Sequence, residues 1–231
     1  MPRRAEFLSG STGEFSAGFA HSSPSDFQSD RLLLLDRFYP LVDSAAWAAR
    51  LIAHGARFVQ LRVKEKSMED VRKELRKAKA LCERADAQLV VNDYWQLAIE
   101  EHCDFVHLGQ RDLDTADIGA LRCAGIRLGI STHDHSELDR ALALQPDYVA
   151  LGPIYHTQLK QMPWAPQGLE RLQEWRQLVG NIPLVAIGGL TVNRLRGVFA
   201  AGADSAAVVT DIVRSDDPDT RIREWVAATR S

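Results

Sequence analysis

The chain has 231 residues, 45% of them hydrophobic and 26% charged, a composition that supports one globular domain with a sizeable core. The formal net charge of −3 gives no attraction for nucleic acid or an anionic membrane, and no apolar run approaches the ~20 residues that span a bilayer. Cys82, Cys103 and Cys123 form no CxxC pair and leave one thiol odd, which points to a reducing cytoplasm, without a disulfide framework or a zinc site.

Residues 1–30 are rich in Ser and Gly, carry scattered Phe and show no periodicity. They are expected to be a flexible polar extension or a vector-derived leader; Glu6, Glu14 and Asp26, and the lack of an apolar segment after Arg3 and Arg4, argue against a targeting peptide. From residue 31 to 231 the pattern alternates. Short apolar runs at 32–35, 58–62, 88–91, 105–108, 127–130, 147–151, 183–187 and 206–209 read as strands. Helical patterns follow them at 44–54, 68–82, 94–101, 115–123, 136–144, 169–179, 191–200 and from 218 onward. Several helices carry their own punctuation. Gly55 and Gly202 act as stops, Ser67 to Asp70 resembles a capping box, and Asp217-Pro218 supplies an N-cap and a first-turn proline.

Eight strand–helix units in about 200 residues predict a parallel sheet closed as a (β/α)8 TIM barrel, an α/β fold in a single domain. An open doubly wound sheet is the alternative. It calls for a Gly-rich turn after the first strand, and Leu35-Asp36-Arg37-Phe38 has none.

In such a barrel the chemistry lies at the C-terminal ends of the strands. Those positions hold Gln60, Arg62 and Lys64, then Asn92 and Asp93, then Gln110 and Asp112, then Ser131, Gly188-Gly189 and Thr210. The sixth strand opens into a long polar loop, Gly152 to Gly168, carrying Thr157 and Lys160. Arg62, Lys64 and Lys160 form a set able to converge on a polyanion, although Arg62 and Lys64 also read as solvated rim charges. Asp93 and Asp112 follow neighbouring strands and could share a Mg2+ ion, which favours one or two carboxylates plus substrate phosphates; Asp93 reads equally as a helix N-cap. Gly188-Gly189 and the Val209-Thr210 amides suit a phosphate cradle, or, for the glycines, a turn that needs positive φ. His133 and His135 are a bare HxH pair, and His107 reads as a hydrogen-bonded core histidine. No nucleophile elbow or Walker loop is present.

Six short motifs in this order resemble the thiamine phosphate synthase family. They are Gln60-Leu61-Arg62-Val63-Lys64 (QLRxK), Val91-Asn92-Asp93, His107 to Asp112, Gly129 to His133, Gly152-Pro153-Ile154-Tyr155 and Ala186-Ile187-Gly188-Gly189, and the resemblance covers about residues 31–229. It implies condensation of 4-amino-2-methyl-5-hydroxymethylpyrimidine diphosphate with a thiazole phosphate, giving thiamine phosphate and pyrophosphate. It implies that Gln60, Leu61, Arg62, Val63, Lys64, Asn92, Ser131 and Lys160 hold the pyrimidine diphosphate, with Arg62, Lys64, Ser131 and Lys160 the catalytic set. It further implies that Asp93 and Asp112 hold Mg2+, and that Thr157, Gln158, Leu159, Gly188 or Gly189, Val209 and Thr210 hold the thiazole phosphate. The partners would be two small phosphorylated substrates, with room left for a homo-oligomer. One departure stands out: the family usually reads Thr-x-Thr-Lys in the loop, and Leu159 here replaces a hydroxyl. Two other functions compete, a thiazole phosphate tautomerase on the same scaffold and a degenerate protein that binds thiamine precursors without turnover.

Overall fold

A computed structural model describes residues 35–157 and 164–230. Eight strands run in sequence order: β1 (Phe38–Val42), β2 (Phe58–Leu61), β3 (Gln88–Asn92), β4 (Phe105–Leu108), β5 (Arg127–Thr132), β6 (Tyr148–Leu151), β7 (Leu184–Ile187) and β8 (Ser205–Val208). Each pairs parallel with the next, and β8 closes on β1, so the sheet is a barrel rather than an open doubly wound sheet. The helices are α1 (Ala45–Ala53), α2 (Met68–Arg84), α3 (Trp95–Glu100), α4 (Ile118–Cys123), α5 (His135–Ala143), α6 (Gly168–Val179), α7 (Leu195–Ala200), α8 (Thr210–Val213) and α9 (Pro218–Arg230).

The first strand is displaced from its expected place. Residues 32–34 lie outside the described residues, Leu35 is irregular, and β1 is Phe38–Val42. Four consecutive leucines favour a strand and a central proline disfavours one. Alternation overrides both. Tyr39 and Leu41 enter the barrel interior, Phe38 and Val42 pack between sheet and helices, and Pro40 sits opposite Val208 of β8.

Local signals set most helix ends. The Ser67 hydroxyl accepts from the Asp70 N–H at 3.2 Å and donates to the Asp70 carboxylate at 2.7 Å, starting α2 as its capping sequence requires. Asp217 accepts from the Thr220 N–H at 3.1 Å and caps α9, with Pro218 as its first residue. The helix expected over 115–123 begins only at Ile118, where Asp117 accepts from the Ala120 N–H; a 3-10 turn, Asp112–Asp114, precedes it. The helix expected over 191–200 likewise divides into a 3-10 turn, Val192–Arg194, and α7. The extra helix α8 has four residues, too few to show a period. All three cysteines are free, and burial pushes the Cys82 thiol up to about 11 and the Cys103 thiol up to about 12.

The strands are buried on both faces, as parallel strands under helices must be. Outside the barrel, Trp175 of α6 and Trp225 of α9 are fully buried anchors, and Trp175 Nε1–H donates to Thr132 Oγ1 at 2.9 Å. Inside, Tyr39, Phe58, Phe105 and Tyr148 form a closed circuit of aromatic rings with centroids 4.2, 5.9, 5.5 and 6.0 Å apart. Such rings fill the lower barrel with large apolar area and prefer the tilted and edge contacts seen here. One glycine makes the circuit fit. A Cβ on Gly129 would lie 2.1 Å from Tyr148 Cζ, so no larger residue shares that space with the phenol.

Gly129→Ala is therefore expected to destabilise the protein by about 1–3 kcal/mol through overpacking. In a Tyr148→Ala background most of that penalty should vanish, since the clash partner is gone. A double-mutant cycle from urea melts measures the coupling, and additive losses would contradict the contact.

Candidate active site

Above the aromatic circuit the barrel interior turns polar. Strand alternation that sends Phe58 and Phe105 inward also sends Gln60 and His107 inward, one step nearer the C-terminal mouth, with Asn92 of β3 and Ser131 of β5 at similar height. Gln60, Asn92 and His107 are buried, and Ser131 is partly open to the mouth. Two buried atoms, Gln60 Oε1 and Asn92 Nδ2, have no hydrogen-bond partner among the described residues. A buried polar atom without a partner costs about 1–3 kcal/mol, so the barrel keeps an acceptor and a donor in reserve at its mouth.

His107 is held at both ring nitrogens, by Tyr148 Oη at Nδ1 and Ser131 Oγ at Nε2, each 2.7 Å away. Burial pushes its pKa down to about 4, the Asp93 charge opposing this and Arg62 adding to it, so the ring is neutral at physiological pH. The core-histidine expectation holds. Gln110 Nε2 donates to the Ser131 carbonyl at 2.8 Å and ties the loop after β4 to β5.

One side of the mouth concentrates charge. Asp93 follows β3 with φ of +67°, a left-handed conformation that Asp tolerates better than most residues. Its main chain is pinned by its N–H to the His107 carbonyl at 2.9 Å, and its carboxylate pairs with Lys64 Nζ. It is not the cap of α3; Tyr94 occupies that position and makes no side-chain cap bond. Asp112, at the start of the 3-10 turn after β4, accepts from the Gly109 N–H at 2.9 Å. Burial and the nearby Asp93 charge raise the Asp112 pKa, with the Gly109 N–H opposing them. Lys64 thus lies within range of both carboxylates and Arg62 within range of His107, more than separate solvated rim charges would. Leu61 and Val63 differ: both side chains are buried in the cluster between barrel and helices, so only their main chain faces the mouth.

The opposite side is built from the ends of β6, β7 and β8. The long loop has fixed feet: Ile154 N–H donates to the Ile187 carbonyl at 2.9 Å and Tyr155 N–H to the Gly188 carbonyl at 3.0 Å, while Gln167 N–H returns to the Pro153 carbonyl at 2.7 Å. Gly188 and Gly189 have φ of +97° and +64°, and a Cβ on them would meet Pro153 at 2.6 Å and the His156 carbonyl at 2.5 Å. The turn therefore needs glycine for its conformation and for the passing loop, which is the second of the two readings the sequence left open. Arg194 closes it from outside, donating to the Gly189 carbonyl and stacking on Tyr155. Val209 and Thr210 begin α8 beside this turn, both partly buried, and Thr157 ends the described part of the loop. Gln158, Leu159 and Lys160 lie outside the described residues. His133 and His135 diverge, to Glu137 at 2.7 Å and Glu174 at 2.6 Å, and no group of three or more His, Cys, Asp or Glu is placed to hold a metal among the described residues. Among those residues no helix is long and apolar enough to cross a membrane.

Tyr39 and Tyr148, which reach the site from below through His107 and Gln60, went unmarked in the sequence. Their one signal was Gly129, a glycine inside a strand, which marks a close approach by something large.

The model of the thiamine monophosphate synthase family matches residues 37–212. The thiamine-phosphate synthase of Rhizobium etli is 60% identical over 195 residues, 84% of this chain and 96% of that protein. The thiamine-phosphate synthase of Klebsiella pneumoniae is 49% identical over 191 residues, 83% of this chain and 87% of that protein. Among solved structures, a thiamine phosphate pyrophosphorylase from Pyrococcus furiosus superposes with a TM-score of 0.75 at 25% identity, covering 87% of this chain and 97% of that one. The motifs at the barrel mouth, the family match and the closed eight-stranded architecture agree, and the chain belongs to the thiamine monophosphate synthase family.

Proposed function

We propose that the protein joins 4-amino-2-methyl-5-hydroxymethylpyrimidine diphosphate to a thiazole phosphate, releasing pyrophosphate and forming thiamine phosphate. The observation that carries this reading is the charge arrangement at one side of the mouth. Asp93 lies close enough to Asp112 to disfavour ionisation of the Asp112 carboxyl, with Lys64 paired to Asp93 and Arg62 near His107. Two repelling carboxylates beside two cations suit a diphosphate that arrives with a divalent ion. Neither a tautomerase, which needs acid–base groups and no metal, nor a passive binder calls for that arrangement.

Asp93 and Asp112 fit a Mg2+ ion, which favours hard oxygen ligands, few carboxylates and substrate phosphates. When bound, Mg2+ supplies stabilisation of the negative charge that develops on the departing pyrophosphate. The protein's own groups do the rest. Arg62 supplies a planar fork and Lys64 and Lys160 point charges for the diphosphate oxygens, and the growing leaving-group charge strengthens those contacts. Gln60, Asn92 and Ser131 orient the pyrimidine, on which Gln60 Oε1 and Asn92 Nδ2, unpaired among the described residues, find partners. Leu61 and Val63 contribute through their main chain, since their side chains are committed to the core. Thr157, Gln158 and Leu159 of the loop, with Gly188, Gly189, Val209 and Thr210, hold the thiazole phosphate on the other side.

The bond from the pyrimidine methylene to the diphosphate oxygen breaks with its electron pair leaving on pyrophosphate. The electron-rich aminopyrimidine ring supports the cation that remains, and the thiazole nitrogen supplies the pair for the new C–N bond. No protein nucleophile is needed. Fixing both substrates across one mouth makes the second step effectively unimolecular. The free thiols and this chemistry are consistent with work in the cytoplasm on two small phosphorylated substrates.

Asp93→Asn is expected to lower turnover by roughly a hundredfold or more, the equivalent of several kcal/mol of charge stabilisation. Pyrophosphate release assayed against Mg2+ concentration checks it, and near-normal rates at low Mg2+ would remove Asp93 from the metal site. Leu159→Thr restores a hydroxyl and is expected to tighten binding of thiazole phosphate by about ten- to a hundred-fold, the range for a hydrogen bond to a charged group. An unchanged KM for that substrate would show that the loop holds the phosphate by other atoms.

A further inference from the structure

Four hydrogen bonds run end to end through the barrel interior. Gln60 Nε2–H donates to Tyr39 Oη at 2.7 Å, the Tyr39 and Tyr148 hydroxyls lie 2.8 Å apart, Tyr148 Oη is 2.7 Å from His107 Nδ1, and His107 Nε2 is 2.7 Å from Ser131 Oγ. The five side chains come from five different strands, β2, β1, β6, β4 and β5, so barrel closure is what makes the chain continuous. Gly129 clears the space through which the Tyr148 phenol reaches His107.

A count of hydrogens fixes its direction. Each phenol has one O–H, and a buried imidazole facing only hydroxyls has one N–H. With Gln60 donating, the Tyr39 hydrogen goes to Tyr148 and the Tyr148 hydrogen goes to His107 Nδ1. The ring N–H is then on Nε2 and donates to Ser131, whose own hydrogen is left for the mouth. At the far end Gln60 Oε1 is left as an acceptor, with no partner among the described residues. Turning the Gln60 amide over would reverse every link and exchange the two roles.

We infer that Tyr39, Tyr148 and His107 are positioning residues that couple the hydrogen-bond polarity of Gln60 to that of Ser131, so that the site presents one acceptor and one donor together. This rests on the reading above, in which Gln60 and Ser131 both touch the pyrimidine diphosphate. The coupling selects a ligand that offers an N–H to Gln60 and an acceptor to Ser131, as an amino-substituted ring does. An analogue with a carbonyl in place of the amino group can be accepted at Gln60 only by reversing the whole chain.

Two measurements test the inference. Long-range 15N–1H correlation spectra of the full chain, labelled on histidine, report the His107 tautomer, its signal being the one lost in His107→Gln. The Nε2–H tautomer is expected; the Nδ1–H tautomer overturns the stated direction, and with it the inference. Steady-state kinetics then test the coupling. Ser131→Ala is expected to raise KM for the pyrimidine diphosphate by about tenfold, the scale of one hydrogen bond to a charged or polar ligand. Tyr148→Phe keeps the ring and should raise the same KM by a comparable or smaller factor, leaving KM for thiazole phosphate unchanged; Tyr39→Phe breaks the chain one link earlier and should do likewise. Because Tyr148 acts through Ser131, the double variant Ser131→Ala/Tyr148→Phe should be no worse than Ser131→Ala alone. Losses that multiply overturn the coupling. An unchanged KM in Ser131→Ala alone overturns the substrate contact itself, and the single variant tells that failure apart from failure of the coupling.

Discussion

Barrel closure is the constraint from which the rest of this structure follows. Eight parallel strands without an edge satisfy every neighbour in turn, and alternation along each strand sends every second side chain to a narrow common axis. That space must be filled completely. Here the lower part is filled by four aromatic rings rather than by the branched aliphatic layers usual in such barrels, and Gly129 is the vacancy they require. On β2 to β5 the next inward residue above that floor is polar: Gln60 above Phe58, Asn92 above Val90, His107 above Phe105 and Ser131 above Gly129. The floor therefore sets the height and spacing of the polar layer.

The same closure brings charge together. Asp93, Asp112 and Lys64 leave three successive strands at one side of the mouth, where neighbouring staves cannot separate. The local chemistry is unfavourable in isolation. Asp93 takes a left-handed backbone and Asp112 has its ionised form disfavoured by burial and by Asp93. Gln60 and Asn92 add buried polar atoms without partners among the described residues. Departures from local rules gathered at one place, beside charges of both signs, mark the place where a ligand supplies what the protein lacks. Away from the mouth, the described residues include capped helices, apolar strands and surface ion pairs such as Arg72 and Arg76 with Glu100 and Glu101.

Much of this is legible in the amino-acid sequence. Seven of the eight strands, the caps at Ser67 and Asp217, and the residues at the strand ends stand close to where periodicity and punctuation put them. The failures have physical causes. The run of leucines at 32–35 carried a stronger local signal than Phe38–Val42, whose proline hides a strand defined only by its partners β2 and β8. The helices expected after β4 and β7 are each preceded by a 3-10 turn, and the first begins only at its Asp117 cap, further along than the periodicity suggested. The glycines after β7, read in the sequence as a phosphate cradle or a positive-φ turn, have the positive φ and give clearance to the loop from β6.

The sequence by itself determined the alternation of strand and helix, the identity of the polar residue at each strand end and the family to which the motifs belong, because these depend on residue type, spacing and order alone. Only the tertiary structure decided which of those residues meet. The burial of the Leu61 and Val63 side chains away from the mouth is one such outcome, and the pairing of Lys64 with Asp93 and the chain from Gln60 through two tyrosines and His107 to Ser131 join residues between 21 and 109 positions apart. Contacts of that kind leave no local pattern; they exist because eight strands close on one axis and every inward side chain must find its partner there.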